Sequence, residues 1–156
     1  MNIKFVLIGL MIIGGLIFFN DHHFKSKMKE QFREAGKNLN SDSGHVTTSM
    51  DGYHVDVKLL NQYPSFIVNL TLSPFTATQL PEKLKERINF MACDPDNITT
   101  KAHGNADLIQ AKIQVIAEDS IKWTYIVHNE NGEKVYEHSQ VTKDCPEFKK
   151  LEKLYD

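Results

Sequence analysis

The sequence predicts an α+β fold: an amino-terminal transmembrane helix followed by a small antiparallel-sheet domain, with elements in the order ββααββα. Three observations carry this expectation. The chain opens with an uncharged run from Phe5 to Phe19, its body contains two pairs of segments in which apolar and polar residues alternate, and the stretches around them space apolar residues as helices do. With the opening set aside, the rest of the 156 residues is enough for a single core. The expected divisions are residues 1–23 as a membrane anchor, 24–45 as an amphipathic helix and polar linker, and 46–156 as the α+β domain.

The opening run follows Lys4 and ends in Leu16, Ile17, Phe18, Phe19 and Asn20. Signal peptidase needs small side chains before its cut, and none stands there, so the run reads as a retained anchor rather than a cleaved signal. No cysteine follows that could carry a lipid. As a helix, residues 3–19 reach ~25 Å of a ~30 Å hydrocarbon core, so Lys4 would have to snorkel or the bilayer thin. Lys25, Lys27, Lys29 and Arg33 follow the run, and the positive-inside rule taken literally puts the body in the cytoplasm. The gap without Lys or Arg at positions 20–24, together with the cysteines discussed below, favours instead a single-pass protein of a bacterial inner membrane with its domain in the periplasm.

Phe24, Met28, Phe32, Ala35 and Leu39 recur at helical spacing with charges between them. Such a helix either lies on anionic lipid or packs its stripe against its own domain. Gly36 to His45 then reads as a polar linker. Tyr53, Val55, Val57 and Leu59 alternate with His54, Asp56 and Lys58, and Phe66, Val68, Leu70 and Leu72 repeat the pattern after Pro64. These predict two half-buried strands joined by a reversal.

Leu80, Leu84, Ile88, Met91 and Ala92 share one helical face, with Pro81 placed for a first turn and Asp94-Pro95 as a stop. Residues 105–118 fit both periods. Ile109, Ile113 and Ile116 suit a helix and Ile109, Ala111, Ile113 and Val115 suit a strand; the Ala, Gln and Glu content favours helix. The segments from Ile121 to His128 and from Glu133 to Val141 flank Asn-Glu-Asn-Gly, a hairpin signal. A three-residue loop pairs Val127 with Val135 and Ile121 with Val141, and a two-residue turn sets Val127 against Tyr136; the first register is expected because it joins the apolar faces. Pro146 then starts a closing helix with Phe148, Leu151 and Tyr155 on one side.

Residues 41–156 carry 12 basic and 17 acidic side chains. A phosphate backbone is repelled by such a surface, so nucleic acid is not an expected partner. Cys93 and Cys145 each stand at the end of an element, and a disulfide between them is the preferred reading over a metal pair or two unrelated reduced thiols. His103 is near Cys93 in sequence, but no orienting partner suggests a catalytic thiol. The seven histidines supply no convincing third ligand at metal-binding spacing. No phosphate loop, nucleophile elbow or paired acidic motif is present. No catalytic residue, cofactor or metal is expected.

Trp123, Tyr125 and Tyr136 form either an aromatic recognition face for a protein partner or part of the core. The stretch from the Cys-Asp-Pro at Cys93 through "WTYIVHNENGEKVYEHSQVTKDC" resembles a recurrent pattern in small exported bacterial proteins of unassigned function. It covers residues 81–145 and departs from that pattern in the longer insertion between Cys93 and Trp123. The resemblance implies a disulfide-bonded α+β domain and carries no activity. The function these readings favour is a membrane-anchored, non-enzymatic protein-binding module of the cell envelope. Its rivals are an immunity protein that neutralises a secreted toxin and an enzyme whose site the sequence does not display.

Overall fold

In the computed structural model, residues 24–39, 46–93 and 106–155 are described. The first described helix, α1, covers residues 24–37. It is followed by β1 (Val46–Met50), β2 (Tyr53–Gln62), β3 (Ser65–Ser73), α2 (Glu82–Ala92), α3 (Ala106–Asp119), β4 (Lys122–His128), β5 (Lys134–Val141), a 3-10 turn over Thr142–Asp144 and α4 (Pro146–Tyr155). The strands form one five-stranded sheet in the order β1-β2-β3-β4-β5.

This architecture corrects the expected one in two respects. The sheet is mixed, because β3 and β4 run parallel while every other neighbouring pair is antiparallel. The element order is αβββααββα rather than ββααββα, since α1 precedes the sheet and β1 adds a strand. The two helices between β3 and β4 give the chain room to cross back over the sheet, which is what a parallel pair requires.

The expected single-pass inner-membrane placement is also corrected. Among the described residues no helix is long and apolar enough to cross a membrane. Residues 3–19, which carried that expectation as the span of the 1–23 anchor, lie outside the described residues. The amphipathic helix after them is described, and two of its cations, Lys29 and Arg33, meet carboxylates of its own domain. The linker residues 40–45 are likewise outside the described part.

The hairpins follow local chemistry. Asp51 and Gly52 both take positive φ, 49° and 88°, the two-residue turn whose twist matches antiparallel strands. It joins β1 to β2 with Met50 opposite Tyr53. Tyr63 and Pro64 join β2 to β3, as the proline predicted, with Gln62 opposite Ser65. Residues 106–119 are helical, as their composition favoured. This helix ends at Ser120, whose φ is 53°, and the Ile121 N–H closes the turn by donating to the Ile116 carbonyl at 3.2 Å.

Between β4 and β5 the expected three-residue loop of Glu130, Asn131 and Gly132 forms, with the Asn129 N–H donating to the Glu133 carbonyl and Gly132 at a φ of 80°, but the expected register does not continue beyond it. Val127 stands opposite Tyr136, and after a register shift His128 stands opposite Lys134. The loop is held by Asn129, which is fully buried. Its Oδ1 accepts from the N–H groups of Asn131 and Glu133, its Nδ2 donates to Glu133 Oε2, and its N–H donates to the Glu133 carbonyl. One side chain thereby holds the loop, and the shift beyond it sets Val127 against Tyr136 instead of Val135.

Burial alternates along β3, with Phe66, Val68, Leu70 and Leu72 buried and the residues between them partly exposed. Leu84, Ile88 and Ala92 of α2, four residues of α3 and Phe148 of α4 are buried as well. One buried cluster runs from Met50 and Val55 through Leu72 and Phe75 to Ile88 and Val127. A second gathers Phe66, Ile113, Ile116, Ile121, Cys145 and Phe148.

Candidate functional site

The site begins with α1. Part of its apolar stripe faces the domain: Met28 is buried and Phe32 lines a cavity beneath the helix, as does Leu39 just past its end, whereas Phe24 and Ala35 are exposed. Its basic residues meet the last two residues of α3. Lys29 Nζ donates to Glu118 Oε1 at 2.6 Å. Arg33 reaches Asp119 through Nε and Nη2 at 3.0 and 2.9 Å and donates from Nη2 to Glu118 Oε2 at 2.7 Å. Two carboxylates at the carboxy end of a helix face the negative end of its dipole; the cations of α1 offset that repulsion, which gives α1 a preferred seat.

The Tyr63 hydroxyl also donates to Asp119. A Cβ added to Gly36 would lie 2.5 Å from the Tyr63 ring, so only glycine permits this closeness. Asn61 Nδ2 donates to the carbonyls of Gly36, Lys37 and Leu39 at 2.8 to 3.0 Å, satisfying acceptors that the end of a helix leaves open.

The ionisation of these groups follows from the contacts. Hydrogen bonds from Arg33 hold Asp119 below its ordinary 3.8, against partial burial, with Tyr63 adding to the effect. Lys29 leads in holding Glu118 below 4.5, again against burial and with help from Arg33. Burial, then the hydrogen bond to Asp119, pushes Tyr63 up to about 12. Arg33 is raised further above its ordinary value by its hydrogen bonds to Asp119 and Glu118. All four groups are thus held in the protonation states that keep α1 docked.

Beneath α1 lies a cavity of about 390 Å³. Phe66, Trp123 and Tyr125 form its sheet wall, and Val115 and Ile116 form its α3 wall. Phe66 and Trp123 stack with centroids 4.7 Å apart and planes at 24°. The volume is within the ~300–1,000 Å³ typical of small-molecule sites.

The disulfide lies near two residues of the lining in sequence. Cys93 and Cys145 are bonded, with Cα atoms 5.6 Å apart, and the bond ties the end of α2 to the start of α4. Ala92, beside the first cysteine, and Thr142, three residues before the second, both line the cavity. Thr142 is 4% exposed. Its hydroxyl is a buried side-chain polar atom with no hydrogen-bond partner, an arrangement that is uncommon in native proteins.

The three aromatics singled out in the sequence are placed on the helix-covered side of the sheet. Tyr125 is buried, Trp123 is partly buried against Phe66, and the Tyr136 hydroxyl donates to Asn89 Oδ1 of α2 at 2.8 Å. Trp123 and Tyr125 meet at the cavity wall, whereas Tyr136 packs against the larger cluster. Among the described residues no group of three His, Cys, Asp or Glu could hold a metal ion; His22, His23, His45 and His103 lie outside them.

Sequence reasoning missed Thr142, Tyr63 and the Arg33–Asp119 contact. The amphipathic stripe of α1 signalled a docking helix, but nothing in one dimension joins residues 86 positions apart. Comparison with protein-family models, with curated proteins and with solved structures finds no match.

Proposed function

We propose that the chain is a non-enzymatic protein-binding module that meets a folded partner through the uncovered face of its sheet. The observation that carries this reading is one-sided coverage. Among the described residues, the α2, α3 and α4 side chains that are buried accompany the Phe66–Leu72 face of β3, while the opposite residues of β2, His54, Asp56, Lys58, Leu60 and Gln62, are all exposed. On that face Leu60 pairs with Ile67, and Asn69 pairs with Ile126 across the parallel ladder. A depression of about 330 Å³ lies beside them, lined by Asp56, Lys58, Leu60, Asn69, Thr71 and His128 among others. A small apolar centre within a polar rim is the anatomy of a protein interface.

Leu60, 36% exposed, permits a clean test. Proteins retained by the immobilised full chain under native conditions are identified, and the affinity of a retained partner is then measured for wild type and for Leu60→Glu. At least a tenfold loss is expected, with the thermal midpoint unchanged, because a buried uncompensated carboxylate is costly at an interface. Equal affinity for the two proteins would remove the sheet face from consideration.

A further inference from the structure

We infer that β1 is a self-association edge: two copies of the chain pair their β1 strands antiparallel about a two-fold axis at Thr48, joining their five-stranded sheets into one. The inference does not rest on the binding role given to the sheet face. β1 ends the sheet, and among the described residues β2 is its only neighbouring strand. A two-residue turn makes its flanking pair, here Met50 and Tyr53, exchange both backbone hydrogen bonds, and such pairs alternate along an antiparallel ladder. Thr48 with Val55 and Val46 with Val57 are therefore the next bonded pairs. The N–H and C=O groups of Thr47 and Ser49 point the other way, out from the edge of the sheet.

Edge strands ordinarily carry a charge, a proline or a bulge against such pairing. β5, at the opposite edge, holds Lys134, Glu137 and a register shift, and α2 packs on it. Val46–Met50 has none of these devices. The helical layer also leaves this edge open: a depression of about 430 Å³ runs along Thr48, Met50, Val55 and Val57, and Val46, on the same face, is 54% exposed. Such an edge selects a strand with apolar residues at alternate positions, and β1 is itself that strand. With Thr48 opposite Thr48, Thr47 of each copy exchanges hydrogen bonds with Ser49 of the other, which uses every outward group of both residues. The same register sets the exposed Val46 of each copy against Met50 of the other on the helix-covered side, and an uncharged strand brings no like charges together. An axis at Thr47 or Ser49 keeps a bonded pair but loses the contact of Val46 with Met50. Five residues a side is a short interface, of the weak class that buries less than ~1,200 Å², so the dimer is concentration-dependent.

The test uses the full-length oxidised protein, with amide exchange and sedimentation equilibrium followed from micromolar concentration to about 1 mM, the range of a weak interface. The amides of Thr47 and Ser49 are expected to exchange more slowly as concentration rises, while that of Thr48, already bonded to Val55, is unchanged. Thr48→Lys and Thr48→Glu each set like charges against one another at the axis and should weaken the dimer about tenfold. An equimolar mixture of the two variants should recover at least the wild-type affinity, because Lys then faces Glu. Exchange of the β3 amides reports whether the variants keep the fold; should either fail to, the wild-type exchange of Thr47 and Ser49 decides alone. Exchange at Thr47 and Ser49 that is independent of concentration overturns the assignment, and so does association that leaves both amides unprotected. A mixture of folded variants no tighter than either alone overturns it as well.

Discussion

The larger buried cluster holds twelve side chains between the sheet and α2, and the smaller holds six around α4. Their surroundings differ as much as their sizes. The larger one holds Val55 at 1% exposure and Leu72 and Ile88 at 0%, and beside it an open depression of about 430 Å³ runs along Met50, Val55, Val68, Leu70 and Tyr125. The smaller one sits beside the aromatic cavity, and around it are found the disulfide and, where α1 docks, the ion pairs to Glu118 and Asp119. A cluster next to open space forgoes part of the dispersion and transfer energy that a filled core gains. The disulfide and the ion pairs of α1 fasten the smaller cluster, whereas the larger one has only the exposed pairs of Lys83 and Arg87 with Asp51 beside it among the described residues.

Cross-link removal gives the largest expected effect. The bond spans a sequence separation of 52, for which the loop-entropy relation gives about 4 kcal/mol. Cys93→Ala combined with Cys145→Ala should lower stability by about that amount in urea titrations, and reduction of the wild type should reproduce it. A loss below about 1 kcal/mol would show that packing alone closes the smaller cluster, and the contrast between the two would fail.

Truncation in the larger cluster comes next. Leu72→Ala, at a site with 0% exposure, should cost about 3 kcal/mol. Because Leu72 belongs to the other cluster, its cost should add to that of the cysteine replacements within ~0.5 kcal/mol. Strong non-additivity in the triple variant would instead merge the two clusters into one cooperative body.

The smallest effect concerns the docking of α1. Asp119→Asn should cost about 1 kcal/mol or less, as part-exposed ion pairs do, but amide exchange within residues 24–37 should accelerate while the exchange of β3 stays unchanged. The same contacts set a pH window. Asp119 and Glu118 are lowered in the fold, so their contribution is complete above their ordinary 3.8 and 4.5 and is lost as pH falls through the lowered values. Tyr63 is raised from 10.0 to about 12, so its contribution is complete below 10.0 and is lost as pH rises through about 12. Exchange of α1 should therefore be slowest, relative to intrinsic rates, between these limits. A flat profile would mean that packing of Met28 and Phe32 suffices.

The larger cluster was the more legible in the sequence, since Val55, Val68, Leu70 and Leu72 alternate, Leu84 and Ile88 recur at helical spacing, and each pattern names its own buried face. The disulfide was legible because two cysteines at element ends admit few other arrangements. What escaped was information held between elements. The parallel pairing of β3 with β4 leaves no local trace, and Val46 to Met50 lack the alternation of a half-buried strand because four of the five are exposed at the sheet edge. Their hairpin did have a signal in Asp51-Gly52. Thr142 carried none, for an unpaired hydroxyl becomes visible only when everything around it is in place.

The parallel seam between β3 and β4 also shapes how the chain reaches its fold. On either side of it the ladders are local: β1, β2 and β3 meander through short turns, and β4 and β5 form a hairpin of their own. Across it, Ser65 must find Lys122 and Phe66 must find Trp123, so a long loop closes before the contact repays its entropy. The sheet is thus two fast-forming leaves joined along one slow hinge line, and residues at that line, Val68 and Tyr125 above all, should govern the folding rate more than their depth of burial alone implies.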